Sequence, residues 1–311
     1  MIEYQITSQE EGLTLLKYSL RILKAAPQGT VRKFLRKKNI ELNRKKADGS
    51  EKLKYGDKVA FFLSDETFGK LSGREEAGGT GDENKEVPLM DLDRILYEDE
   101  DYLFYDKPAG LFTQSDGTGK LSLVDLLMNH APQTQAAKPS VCNRLDVNTS
   151  GIVICGKTIK GLQVMDEAIK KRRIRKAYRL ICHGGMEEKE SGEYRAYLKK
   201  DKAENRARIT DHPVDGSVEI VTRLRVLSSN AKASYVEAEL ITGKSHQIRA
   251  HLAFLGHVLY GDRKYGAGWD GCRRPMLHCY EVTLPQDILK GRTVRAELPD
   301  DLADKLESLG L

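Results

Sequence analysis

A chain of 311 residues with 40% hydrophobic and 31% charged residues has enough apolar material for one large domain or two ordinary ones under a highly charged surface. No apolar run approaches the ~20 residues a membrane span requires, and the polar opening MIEYQITSQEEG does not read as a secretory signal. Five scattered cysteines without a CxxC pair read as reduced thiols of a cytoplasmic protein, and the net charge of +5 is too modest to identify a partner by itself.

Residues 1–63 read as a small basic domain. Leu13, Leu16, Leu20 and Leu23 recur at helical spacing, and Pro27 and Gly29 then break the chain. Thr30 is a plausible cap for a second helix, VRKFLRKKN, with Val31, Phe34 and Leu35 inward. Arg32 and Arg36, like Lys33 and Lys37, are four apart and share an outward face. A solvated helix face is the plain reading of such charge. Stacked like charges with few acids between them point instead to an absent anion, and phosphate backbones fit. A turn at Asn43–Lys46 and a strand over 59–63 complete the segment. Residues 64–90, rich in Gly, Glu and Ser, read as a flexible linker that would let the small domain grip RNA while tethered.

From residue 91 a larger domain is expected, running to residue 311. ILYEDEDYLFYDKP gives two short strands across an acidic turn, LSLVDLLMNH a helix, the run after Asn148 a strand, and IKGLQVMDEAIKKRRI an amphipathic helix. AYRLICHG is again a strand, alternating strands fill 192–241, a helix spans about 245–255, and short strands lead to the end. The expected class is α+β: a mixed, largely antiparallel sheet with flanking helices, preceded by a small α/β domain.

Three stretches carry candidate chemistry. In NRLDVNTSG, Asp146 precedes a tight polar turn and the apolar run Ile152–Cys155. A strand fixed by burial can aim that carboxylate rigidly, and an arginine nearby would keep it ionised as a nucleophile or base. In GKSHQIRAHLAFLGH, Ile248, Leu252 and Leu255 form the buried stripe, with Arg249 one position off it at the solvent border, where it can reach a carboxylate. His246 and His251 are five apart and diverge by ~140° on a helix, so no metal site is expected. Tyr178 sits in the most basic run of the large domain, with Arg173, Arg175 and Lys176 among its neighbours; an aromatic among cations suits a stacked base flanked by phosphates.

Together these segments resemble the pseudouridine synthases that include the ribosomal large-subunit enzymes of the C and D types. YEDEDYLFYDKPAGL is similar to that family's entry strands and Lys-Pro-Gly turn, NRLDVNTSGIVICGKT to its HRLDxxTSG motif, RKAYRLICHG to its active-site tyrosine segment, and GKSHQIRAHLAFLGHVLYGDRKYG to its G-R-T-H-Q-I-R helix and G-D-x-x-Y-G loop. The four lie in family order over roughly residues 90–300, and the first segment resembles the alpha-L RNA-binding domain that often precedes such a domain. The resemblance implies that Asp146 is the nucleophile, that Tyr178 stacks on the target uracil near the departing C5 proton, that Arg249 pairs with Asp146, and that Arg144 holds the RNA around the extruded nucleotide. Asn143 stands where the family has His, and Lys244 and Ser245 where it has Arg and Thr.

The implied reaction breaks the N1–C1′ bond of uridine, turns the uracil and joins C5 to C1′. Atoms are conserved, so no cofactor is required, and the aspartate can act on the sugar or at C6. The uridine must be flipped from its stack at a cost of a few kcal/mol. The expected partner is large-subunit ribosomal RNA, with transfer RNA second, and the expected state a monomer. Two other classes compete: a glycoside hydrolase, which normally uses two carboxylates, and a non-catalytic RNA-binding protein, which has no need of Asp146.

Overall fold

The structure is a computed structural model that describes residues 1–73, 88–201, 203–266 and 268–311. Two sheets organise the described residues. The first has four strands, β1 (Ile2–Gln5), β2 (Ile40–Leu42), β3 (Lys45–Lys46) and β4 (Lys58–Phe61), in the order β1-β4-β2-β3. Helices α1 (Leu15–Ile22) and α2 (Gln28–Arg36) belong to the same unit.

In α1 the fully buried stripe is Leu15, Tyr18 and Ile22, with Thr14 capping the helix through its hydroxyl; Leu16 and Leu20 of the expected stripe are only half-buried. In α2, Val31 and Leu35 face inward as the spacing predicts, but the helix begins a turn earlier, at Gln28. Pro27 stands at its N-cap, where a missing N–H and a fixed φ cost nothing, so Thr30 lies inside the helix.

The segment expected to be linker from residue 64 begins as a third helix, α3 (Asp65–Ser72). Ser64 caps it, Asp65 and Glu66 complement its N-terminal dipole, and Phe68 packs edge-on against Phe61. Residues 74–87 of the expected linker lie outside the described residues. The small unit is also packed against the larger one: its core continues into Ala136, Ala137 and Ile159. Arg21 Nη1 donates to Ala136 O at 2.7 Å and Ile159 N to Gln9 O at 3.1 Å. The contact between the two is therefore an apolar seam.

The second sheet is built from β5 (Ile95–Glu98), β6 (Tyr102–Lys107), β7 (Ser140–Val141), β8 (Ser150–Gly156), β9 (Arg175–His183), β10 (Gly192–Asp201), β11 (Arg206–Thr210), β12 (Val218–Ser229), β13 (Ala233–Leu240), β14 (Leu277–Thr283) and β15 (Thr293–Arg295). Its main path is β11-β10-β12-β13-β9-β14-β8-β6-β5, with β15 on β14 and β7 on β8. Every pairing is antiparallel except β8 with β14, so the mixed, largely antiparallel expectation describes it. Helices α4 (Leu123–His130), α5 (Ile159–Lys170) and α6 (Gln247–Phe254) flank it. A reciprocal Ser122–Asp125 capping box starts α4 and the Thr158 hydroxyl caps α5.

The chain ends in a helix, α7 (Asp300–Leu309), where only short strands were expected. Pro299 precedes two acidic residues, Leu302 and Leu306 are buried four apart, and Gly310 closes the helix at φ 68°.

The β8–β14 junction sets the site. β8 is buried along its whole length. Gly151 has φ +110° and lies against β14 so closely that a Cβ would sit 2.3 Å from Cys279 O. Only glycine permits that approach, and the chain entering β8, residues 143–149, is thereby anchored at its C-terminal end.

Candidate active site

The loop before β8 is bonded from several sides. Asn143 Oδ1 accepts from Ile154 N at 2.7 Å, and Thr113 Oγ1 donates to Leu145 O at 2.8 Å. Gly110 N donates to Val147 O at 2.8 Å. Lys107, at the end of β6, is fully buried. Its Nζ donates to Pro108 O and Leu111 O at 2.9 Å and to Val147 O at 3.2 Å, three acceptors for the three N–H of an ammonium. Burial and the Arg274 guanidinium push Lys107 down to about 7, opposed by Asp146 and Asp106. A lysine inside the fold thus ties the strand end to the loop that carries Asp146.

Asp146 presents its carboxylate at the floor of an open cleft of about 1100 Å³. Its side chain is 26% exposed, and Oδ2 accepts from Arg249 Nη1 at 3.0 Å. Arg249 was expected at the solvent border of its helix; it is buried, with 8% exposure. The reason is a second carboxylate partner. Asp262, in the G-D-x-x-Y-G loop, accepts from Arg249 Nε at 2.7 Å and from Nη2 at 2.8 Å. Burial works against the Arg249 charge, but the Asp262 bonds and the Asp262 and Asp146 charges outweigh it and raise the guanidinium above its ordinary value. Arg249 is therefore a fixed cation between two carboxylates, one sealed and one facing the cleft.

His246 is the second group at Asp146, with Nε2 3.7 Å from Oδ2. It adopts a left-handed φ of 58° just before α6, which begins at Gln247. The Tyr265 hydroxyl accepts from Ala207 N at 2.9 Å and lies 3.0 Å from His246 Nδ1. Its own proton is then free for Nδ1, which leaves the imidazole proton on Nε2, toward Asp146. Burial lowers the His246 value, with Asp146 opposing. His251 and His278 bond Thr222 and Ser150 at 3.0 Å instead.

Tyr178 lines the cleft from β9 and is 5% exposed. Burial, then the Cys279 thiol and the Asp146 carboxylate, hold its phenol well above the ordinary value, so it is a neutral ring in the wall of the cleft. Lys176, two positions earlier on the same face, also lines the cleft, as does exposed Arg144.

Other expected RNA contacts are not brought there. Arg175 points from the opposite face of β9, where Glu281, Glu237 and Glu239 surround it at 2.5–3.5 Å. Arg173 pairs with Asp287. The alternation of a strand separates Arg175 from Lys176, although they are neighbours in sequence. Arg32, Lys33, Arg36 and Lys37 are exposed on α2 and have no ion-pair partner among the described residues.

The cleft wall carries eight Lys and Arg side chains against three Asp, and of those Asp262 is consumed by Arg249. Its volume lies just above the ~300–1,000 Å³ typical of small-ligand pockets. Of the other two Asp, Asp116 is exposed and held only by its own turn, whereas Asp146 alone is fixed by a guanidinium, and a fixed carboxylate in a basic cleft suits the sugar side of a nucleotide within a polyanion.

Residues 101–254 match the family model described as RNA pseudouridylate synthase. Ribosomal large subunit pseudouridine synthase C of Rickettsia felis is 30% identical over 295 residues, covering 93% of this chain and 94% of the relative. The chain belongs to the RNA pseudouridine synthase family. It is an enzyme that isomerises uridine to pseudouridine in RNA. An uncharacterized RNA pseudouridine synthase of Bacillus subtilis is also 30% identical, over 307 residues, covering 97% of this chain and 95% of that one. Among solved structures, human RNA Pseudouridylate Synthase Domain Containing 4 shares the fold, with a TM-score of 0.59 and 22% identity over 70% of this chain and 93% of that one.

Three members of this site carried no expectation from sequence: Lys107, Tyr265 and Asp262, which lie in the Lys-Pro and G-D-x-x-Y-G stretches; His246 was weighed only as a metal ligand.

Proposed function

We propose that this synthase acts on large-subunit ribosomal RNA, and that Asp146 is the group that acts on the flipped-out uridine. The observation that carries the second part is the relay Asp262–Arg249–Asp146: a sealed carboxylate fixes a guanidinium, and the guanidinium fixes a carboxylate that faces the cleft. Preorganised charge of this kind costs no rearrangement when the glycosidic bond opens and positive character develops at C1′. Tyr178 offers its ring to the uracil, and Arg144 and Lys176 meet the strand on either side. His246 Nε2 holds the second side of the carboxylate. The exposed cations of α2 form a further phosphate-binding face on the small unit.

The ribosomal target is supported by the Rickettsia felis relative, named as a ribosomal large-subunit enzyme, and by a synthase D of Nitrosomonas europaea that is 29% identical over 275 residues. The test is to map pseudouridines in ribosomal and transfer RNA from cells with and without the gene. One or more large-subunit positions should revert to uridine. Loss confined to transfer RNA overturns the assignment of target.

A further inference from the structure

The loop that supplies Asp262 has an outer edge with no role in holding Asp146. It runs from Gly261 to Arg274, and its ends touch: Gly261, at φ +74°, lies so near Arg274 that a Cβ would fall 1.9 Å from Arg274 O. Asp270 fastens the loop from within, accepting from Gly261 N at 2.6 Å and Cys272 N at 3.0 Å, with His183 Nε2 at 3.0 Å. Lys305 of α7 donates to Asp270 O at 2.9 Å, and Arg274 is clamped by Asp301 at 2.6 and 2.7 Å.

Beside this anchor stands Trp269, the only tryptophan of the chain, 72% exposed. Single exposed apolar residues are common and need no explanation. This one differs in its setting. The Arg263 guanidinium lies over the indole, 4.7 Å from the ring, which leaves the opposite face to solvent. Arg263, Lys264 and Arg273 all line the cleft of Asp146, and none has an ion-pair partner among the described residues. A ring with one face backed by a cation that lines an RNA-modifying cleft, in a segment that also brings Lys264 and Arg273 to that cleft, combines a base-stacking surface with phosphate-binding charge.

We propose that Trp269, backed by Arg263, is a stacking platform for an unpaired base of the RNA strand beside the uridine that enters the cleft, with Lys264 and Arg273 meeting the phosphates of that strand. The platform rests on the reading of the cleft as the uridine site. Its occupant is a nucleobase of the substrate, and because every base has a π-face the platform holds the strand without selecting sequence.

The lone tryptophan makes the test direct. Indole emission of the full chain is followed while an oligouridylate of about 12 nucleotides is added, and binding is followed in parallel by anisotropy of the labelled RNA. Turnover is measured on transcribed large-subunit ribosomal RNA. Stacking predicts that emission is quenched in step with binding. Trp269→Ala should weaken oligouridylate binding by roughly 5- to 150-fold, the range that one stacked base represents, and raise KM for the transcript more than it lowers kcat. Trp269→Phe should restore most of both, and Arg263→Gln should reproduce part of the loss. Thermal melts should match wild type for all three, because the indole is exposed. Emission unchanged at saturating RNA, or Trp269→Ala binding as wild type does, overturns the platform while turnover on the transcript leaves the uridine site standing. A wild-type chain with neither binding nor turnover overturns both.

Discussion

Asp262→Asn isolates the buried end of the relay. The substitution keeps the shape of the side chain but removes its charge and turns an amide NH₂ toward one arm of the guanidinium. Arg249, 8% exposed, then keeps one charged partner, Asp146 at 3.0 Å, in place of two. Breaking a buried, hydrogen-bonded pair from one side costs ~3–5 kcal/mol, and the urea midpoint should fall accordingly. Arg249 is free to swing toward its remaining partner, and a misplacement of ~1 Å in the reacting carboxylate costs about 100-fold in rate. The assay is tritium release from C5-labelled uridine in transcribed RNA at saturating concentration, with KM measured separately. A control divides the two effects: Arg249→Met with Asp262→Leu replaces the pair by apolar groups and should recover much of the stability without recovering kcat. Asp262→Asn with kcat within about threefold of wild type would refute the claim that the sealed carboxylate positions Asp146.

Neutralising α2 with Arg32→Gln, Lys33→Gln, Arg36→Gln and Lys37→Gln should weaken RNA binding and lower the slope of log K against log salt by up to ~3–4, with the fold unchanged because all four are exposed; deleting the small unit is a poorer test, since it uncovers Ala136, Ala137 and Ile159. Arg144→Gln should raise KM, whereas Arg175→Gln, on the far face among three glutamates, should leave RNA affinity unchanged and lower the urea midpoint, because the largely buried carboxylates lose a shared cation. Stability should also fall in acid through His278, held at about 4 by burial and then by Arg274, against an ordinary 6.5. The unfolded chain takes up this proton below pH 6.5 and the folded chain does not, so the contribution is whole above pH 6.5 and is lost as pH falls toward 4, on the order of 3 kcal/mol. Urea midpoints at pH 7.5, 5.5 and 4.5 should step down on that account, and less so in His278→Gln.

What was legible in the sequence follows physical lines. Hydrophobic alternation and helical spacing placed β5, β6, β8, β9, α4 and α5, because burial enforces those periods locally. The Asp146 turn was legible because a polar cluster before a fully apolar run leaves little else for the chain to do. Arg249 was found with its partner but at the wrong depth, because burial depends on Asp262, thirteen residues away, and periodicity carries no information about that. Arg175 was misplaced because a basic run was read as one surface, while a strand sends neighbours to opposite faces. The helices α3 and α7 carried cap and spacing signals that composition obscured: Gly and Glu around α3 looked like linker, and α7 followed a run of short strands.

The measurement that bears most directly on the account is Asp146→Asn assayed for binding and turnover together. An asparagine there keeps the size of the side chain and one acceptor for Arg249 Nη1, so the protein should fold and bind RNA with near wild-type affinity while tritium release and pseudouridine formation vanish. Pseudouridine accumulating at a wild-type rate in Asp146→Asn would contradict the assignment of Asp146 as the reacting group.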